Sequence, residues 1–280
     1  SADSDAHNFG IDVVSLQNHL YQIVERRGKL IYNRETGRRI SAIVPMHAFG
    51  HPVNMDPLLA LANDYGLPVI EDAAEALGST YKGRACGSMG KIGIFSFNGN
   101  KILTTGGGGA LVTNDAELAE RARHLTTTAK VPHRWAFEHD EVAFNYRMPN
   151  LNAALGCSQM HDLGTRLKQK RELAQRYAGA FREMAVVEVV GEPAGSSSNF
   201  WLNTLRLKIE DGTHRDQLLD LLNDQKIMAR PVWALLHRLP MFNHCPKSNL
   251  SVSERLEMQL INIPSSAHLV ESSQKSNYTD

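Results

Sequence analysis

VIEDAAEALGSTYKGRACGSMGKIGIFSFNGNKILTTGGGGALVT, residues 69–113, is the stretch whose reading decides the fold. It opens inside an apolar run, residues 67–72, that reads as a buried strand ending on an acidic residue, Asp72. Residues 92–97 form a second strand candidate. It leads into the loop Ser96-Phe-Asn-Gly-Asn, and Lys101 follows directly. Four glycines, Gly106 to Gly109, then precede a third strand candidate at 110–113. Ligands of open α/β sheets bind beyond the carboxyl ends of strands, so Asp72 and Lys101 are placed to converge there. The glycines precede a strand instead of opening a helix, and no GxxxxGK[ST] is present, which disfavours a P-loop and a dinucleotide fingerprint.

Working outward, residues 40–46 (ISAIVPM) read as a further buried strand. Residues 57–65 follow as a helix with Leu58, Leu59, Leu61 and Ala62 on one face, Pro57 in its first turn and Gly66 at its end. Residues 115–125 read as a capped amphipathic helix facing inward with Leu118, Ala122 and Leu125. Strands alternating with helices predict an α/β layered domain with a largely parallel sheet. After Pro149 the character changes. Residues 151–184 are rich in helix formers and predict one long helix or two joined ones, and 191–198 predict a loop. A strand at 201–207 and a helix at 214–225 follow. The expected division is a large α/β domain at 1–162 and a smaller α+β domain at 163–280, with a polar tail at 271–280 expected to fray.

Composition excludes several function classes. Lys+Arg and Asp+Glu are equal at 30 each, so no basic excess favours nucleic acid. No apolar run approaches the length of a membrane span. Three scattered cysteines argue against a disulfide framework and a Cys-based zinc site, and point to a reducing, cytoplasmic setting. His133 and His139 lie six apart in a loop, and no metal site is expected.

A carboxylate and a lysine at neighbouring strand ends are what pyridoxal phosphate (PLP) chemistry needs. The amine takes the cofactor aldehyde, the carboxylate keeps the pyridine nitrogen protonated, and a hydroxyl such as that of Ser96 can meet the phosphate. Residues 69–113, with MHAFGHPV at 46–53 and FNYRMPNLNAALG at 144–156, resemble the DegT/DnrJ/EryC1/StrS sugar aminotransferases. The likeness extends to AKVPH (129–133), RPVW (230–233), HRLPMF (237–242) and NIPSS (262–266). It is strongest for the LegC-type branch, which aminates 4-keto-6-deoxy sugars.

The resemblance implies a PLP-dependent transferase of fold type I, aspartate aminotransferase-like, lacking the N-terminal part of the large domain. It implies Lys101 as the Schiff-base lysine, Asp72 at the pyridine nitrogen and Ser96 at the phosphate. Glu75 falls near the ring hydroxyl, and Asn145 reaches the partner's phosphate across a homodimer interface. Arg230 and His237 line the substrate side, although Arg230 before Pro231 can equally be a structural ion-pair residue. The implied reaction moves an amino group from an amino acid, glutamate by expectation, to a nucleotide-linked 4-keto-6-deoxy sugar. Two other readings stay open: a PLP-dependent sugar dehydratase, and an inactive binding or regulatory fragment on the same scaffold. The family's dehydrating subgroup carries histidine where Lys101 stands. Residues 1–39 hold no match to the family's Gly-Thr phosphate-binding turn.

Overall fold

The computed structural model describes residues 1–209 and 212–270, so the tail at 271–280 lies outside the described residues. Helix α1 (Val13–Ile23) starts where the Asp12 side chain accepts a hydrogen bond from the Ser15 amide, and it runs into the hairpin of β1 (Val24–Arg27) and β2 (Leu30–Asn33). Helix α2 (Met55–Tyr65) carries Pro57 in its first turn, where no helical N–H is lost. It ends on Gly66 in the left-handed conformation (φ 66°, ψ 32°), which glycine adopts without a Cβ penalty. Its buried Leu58, Leu61 and Ala62 pack with Leu16 and Leu20 of α1 and with Ile43 and Val69. Burial of each such leucine contributes about 1.5–3 kcal/mol.

Three strands make the sheet that positions the site: β3 (Ile70–Asp72), then, past the short pair β4 (Thr80–Tyr81) and β5 (Arg84–Ala85), β6 (Ile92–Ser96) and β7 (Gly109–Val112). Strands β3 and β6 are parallel, with Asp72 opposite Ile94. Strand β7 runs antiparallel to β6 and pairs Ser96 with Gly109, against the expectation of a largely parallel sheet. The reason is local: the connection between β6 and β7 holds no helix, and a parallel return needs a crossover. Residues 40–46 also depart from expectation. They lie parallel to β3 but touch it only through isolated bridges, Ile43 with Val69 and Met46 with Asp72. Pro45 has no N–H to donate, and Val44 and Met46 turn outward while Ile43 and Pro45 are buried.

Helix α3 (Ala116–Thr126) is capped by Asp115, which accepts from the Leu118 amide. Its expected inward residues Leu118, Ala122 and Leu125 are only half-buried, and no residue of α3 is fully covered. The long helical stretch is two helices, α4 (Asn150–His161) and α5 (Leu163–Ala180), broken at Asp162. Beyond them come β8 (Val187–Val189), β9 (Ser196–Ser197), β10 (Asn203–Leu207), α6 (Gly212–Asp224), β11 (Arg230–Pro231), α7 (Ser251–Gln259) and β12 (Leu260–Ile263). The order β11-β12-β10-β8 forms an antiparallel sheet over a core that includes Val187, Leu205, Leu219 and Ile261. Strand β9 pairs with β4, and the cluster of Phe49, Ile102, Trp201, Leu256 and Leu260 ties the second half of the chain to the loop that carries Lys101. No helix among the described residues is long and apolar enough to cross a membrane.

Candidate active site

The site begins with the carboxylate that holds its sheet in register. Glu71 is wholly buried and accepts four hydrogen bonds: from the amides of Met89 (2.6 Å), Gly90 (2.5 Å) and Gly87 (2.7 Å) and from His47 Nε2 (3.0 Å). His47 Nδ1 accepts from the Val53 amide at 3.0 Å, so Nε2 carries the proton and the ring is neutral. Burial alone would raise the Glu71 carboxyl; the hydrogen bonds from His47, Gly90 and Gly87 outweigh it and hold it below the ordinary range. Glu71 thereby gathers the turn that leads into β6. Gly93 must be glycine here, because a Cβ would meet the Gly87 carbonyl at 1.9 Å.

Asp72 then ends β3. Its amide donates to the Pro45 carbonyl and its carbonyl accepts from the His47 amide, while Oδ1 accepts from the Ala74 amide at 3.1 Å. That Asx turn aims the carboxylate past the strand end. Ser96 ends β6, with Oγ engaged only by a long contact from the Asn98 amide (3.4 Å). A turn from Asn98 to Lys101 follows.

Lys101 is nearly covered, its side chain 13% exposed, and Nζ sits 3.8 Å from Glu75 Oε1 and 3.8 Å from the ring centroid of Trp201. Burial lowers the amine below the ordinary lysine range, opposed by the charges of Glu75 and Asp72. Burial likewise pushes the Glu75 carboxyl up to about 7, against a 2.7 Å hydrogen bond from the Phe49 amide and the charge of Lys101. Both shifts favour the uncharged forms. Phe49 holds φ at 58°, a conformation that costs a residue other than glycine about 1–2 kcal/mol; the hydrogen bond to Glu75 helps to offset it.

The raised Glu75 carboxyl has a consequence for stability. Between the ordinary 4.5 and about 7 the folded state binds more protons than the unfolded chain, so stability falls as pH rises through that window. The full loss is on the order of 3 kcal/mol. Glu75→Gln keeps an acceptor for Phe49 and removes the titration. The variant is therefore expected to be about 1–3 kcal/mol more stable than wild type at pH 8 and to lose the difference near pH 5. Urea unfolding at the two pH values checks this; parallel pH profiles would refute it.

The remaining expected residues do not join this group. Asn145 is exposed and bridges Thr127 through its backbone. Arg230 is exposed in β11, paired with Asn262. His237 is turned to Glu254, 2.9 Å from Nε2 to Oε1. The segment between those two reaches the site through Trp233 instead, whose ring stacks on Trp201 (6.1 Å, 7°) and Phe49 (5.7 Å, 21°). The sequence reading missed this aromatic group, because Trp201 read only as part of a strand and the three rings are far apart in the chain. It also passed over His47 and His51, which are four apart. Both are wholly buried, and burial drops His51 to about 4, so it packs as a neutral ring between Phe9 and Phe200.

Fold and site together match the layout of fold type I PLP-dependent transferases, with a carboxylate at one strand end and a covered lysine beyond the end of its neighbour. Residues 2–276 match the DegT/DnrJ/EryC1/StrS aminotransferase family, and the chain belongs to it. It is 38% identical over 245 residues to EpsN of Bacillus subtilis (strain 168), covering 86% of this chain and 62% of EpsN. It is 37% identical over 234 residues to a GDP-perosamine synthase of Caulobacter vibrioides, covering 83% of this chain and 63% of that protein. Among solved structures, a DegT DnrJ EryC1 StrS aminotransferase from Brucella abortus superposes with a TM-score of 0.85 at 26% identity, over 98% of this chain and 70% of that one. The chain thus spans a little over three fifths of the length of the curated relatives it matches.

Proposed function

We propose that this chain carries the lysine-bearing part of an aminotransferase that places an amino group on a nucleotide-linked 4-keto-6-deoxy sugar. The observation that carries the reading is the covered amine of Lys101, lowered from the ordinary lysine range by burial, beside Glu75 and Asp72 beyond the ends of two parallel strands. The groups present fit PLP. Lys101 would hold its aldehyde carbon, Asp72, whose Oδ1 accepts from Ala74, would keep the ring nitrogen protonated, and the Ser96 hydroxyl would donate to the phosphate. When bound, the cofactor supplies a carbon that accepts the amino group and a protonated ring that draws electron density from the substrate.

The chain's own residues do the rest. Lys101 Nζ, lowered by burial, takes a proton from the donor's α-carbon and returns one to the former keto carbon of the sugar. Glu75, titrating near neutrality, holds a proton within reach of that amine. Binding energy from the nucleotide positions the keto carbon. We assign L-glutamate as donor, a LegC-type substrate, a cytoplasmic setting, and a division into a large domain at 1–162 and a smaller one from 163 onward. A homodimer is part of this reading. Trp135, Phe137, Val142, Phe144, Tyr146 and Leu151 are all exposed within one short segment beside Asn145, more apolar surface than an unpartnered segment usually shows.

Incubation with PLP, L-glutamate and a UDP- or GDP-linked 4-keto-6-deoxy sugar tests it. The expected result is a sugar with an amine in place of the keto oxygen and an equal amount of 2-oxoglutarate. Loss of water from the sugar with no glutamate consumed would instead support the dehydratase reading.

A further inference from the structure

The indole of Trp201 belongs to neither the strand-end carboxylates nor the expected substrate residues, yet its face lies against the Lys101 amine. Nζ lies 3.8 Å from the ring centroid, well inside the range of a cation–π contact. One hydrogen bond holds the indole, and a second anchors its backbone. Trp201 Nε1 donates to the Asn100 carbonyl at 2.9 Å, which ties the ring to the residue before Lys101. From behind, Lys170 of α5, a buried lysine with no carboxylate partner among the described residues, donates to the Trp201 carbonyl (3.0 Å) and the Ser265 carbonyl (2.5 Å). Trp233 stacks against the ring as the next layer.

We propose that Trp201 is a positioning residue for Lys101: its π face holds the amine as an ammonium beside Glu75, and Lys170 anchors the indole through the Trp201 backbone. A negative ring face favours the charged amine, whereas burial disfavours it, so Trp201 acts against the desolvation that surrounds Lys101. The charged groups around Nζ are Glu75 and Asp72 on the side of β3; Arg166, bound to the Ile102 carbonyl, and Lys170 lie behind the loop. The two carboxyl groups also favour the ammonium and remain in every variant below, so the contribution of the indole is separable. The inference rests on reading Lys101 as the reacting amine, but its test needs no cofactor and no substrate.

The test is competitive trace acetylation of the cofactor-free protein across pH, following the peptide that contains Lys101. Trp201→Leu keeps an apolar neighbour and removes the π face; Trp201→Phe restores a π face without the indole N–H. The titration midpoint of Lys101 is expected to fall by about 0.5 to 1.5 pH units in Trp201→Leu and to return most of the way in Trp201→Phe. Because Trp201 is buried, wild-type protein made with fluorinated tryptophan, which keeps the shape and weakens the ring face, provides a second measurement, and its midpoint is also expected to fall. A midpoint that is unmoved or raised in the folded leucine variant or in the fluorinated protein overturns the proposal. That outcome leaves the aminotransferase reading standing, since the latter is judged by amine transfer.

Discussion

Lys101→Ala is expected to slow amino transfer by at least about 10^4-fold, equivalent to about 5.5 kcal/mol of lost transition-state stabilisation. The size follows from two roles falling on one atom. In the proposed reading Nζ is both the attachment point for the cofactor aldehyde and the base that moves the proton, and the nearby Lys170 is committed to backbone carbonyls. The variant should fold normally, because the Lys101 side chain makes no hydrogen bond that orders an element, the turn to Asn98 being closed by its backbone amide, and its side-chain contacts with Glu75 and Trp201 are both at 3.8 Å. Added small primary amines should restore part of the proton-transfer rate. Activity within tenfold of wild type would remove Lys101 from the chemistry.

The largest effect on stability is expected at Glu71. Glu71→Ala leaves three backbone amides and the His47 Nε2 proton without their acceptor, with Glu71 and His47 both wholly buried, a loss on the order of 3–5 kcal/mol. The same carboxyl gives a defined pH dependence. Its folded pKa lies below the unfolded value, so its contribution is present above the ordinary carboxylate range and is lost as pH falls through the depressed value. Urea unfolding at pH 7 measures the first effect, and the acid limb of the wild-type profile measures the second. A change under 1 kcal/mol in Glu71→Ala would contradict the account of how the turn before β6 is held.

The legible parts of the fold were those settled locally. Helix α2, with Pro57 at one end and Gly66 at the other, and the strand ends carrying Asp72 and Ser96 follow from signals within a dozen residues. The direction of β7 did not, since a strand's own side chains do not say which way its neighbour runs. Residues 40–46 had the pattern of a strand, but Pro45 and the outward Val44 and Met46 left only two bridges. At the site, Lys101 and Asp72 were legible as residue types at strand ends, and the family resemblance gave them roles. Trp201 stands 100 residues beyond Lys101 and was invisible, because cation–π contact carries no spacing rule. Glu75 entered through the family resemblance alone, and its shift toward neutrality depends on how completely it is covered. His47 and Glu71 show the same limit: neither had a role legible in the sequence, because the four donors around the carboxylate gather only in the fold.

The central claim is that Lys101 is the amine that holds PLP, and the most direct measurement is the absorption spectrum of the purified chain titrated with PLP, beside Lys101→Ala. The account predicts a band near the visible edge that saturates in the wild type, is absent from the variant, and bleaches on addition of L-glutamate. No band in the wild type, or the same band in Lys101→Ala, would contradict it.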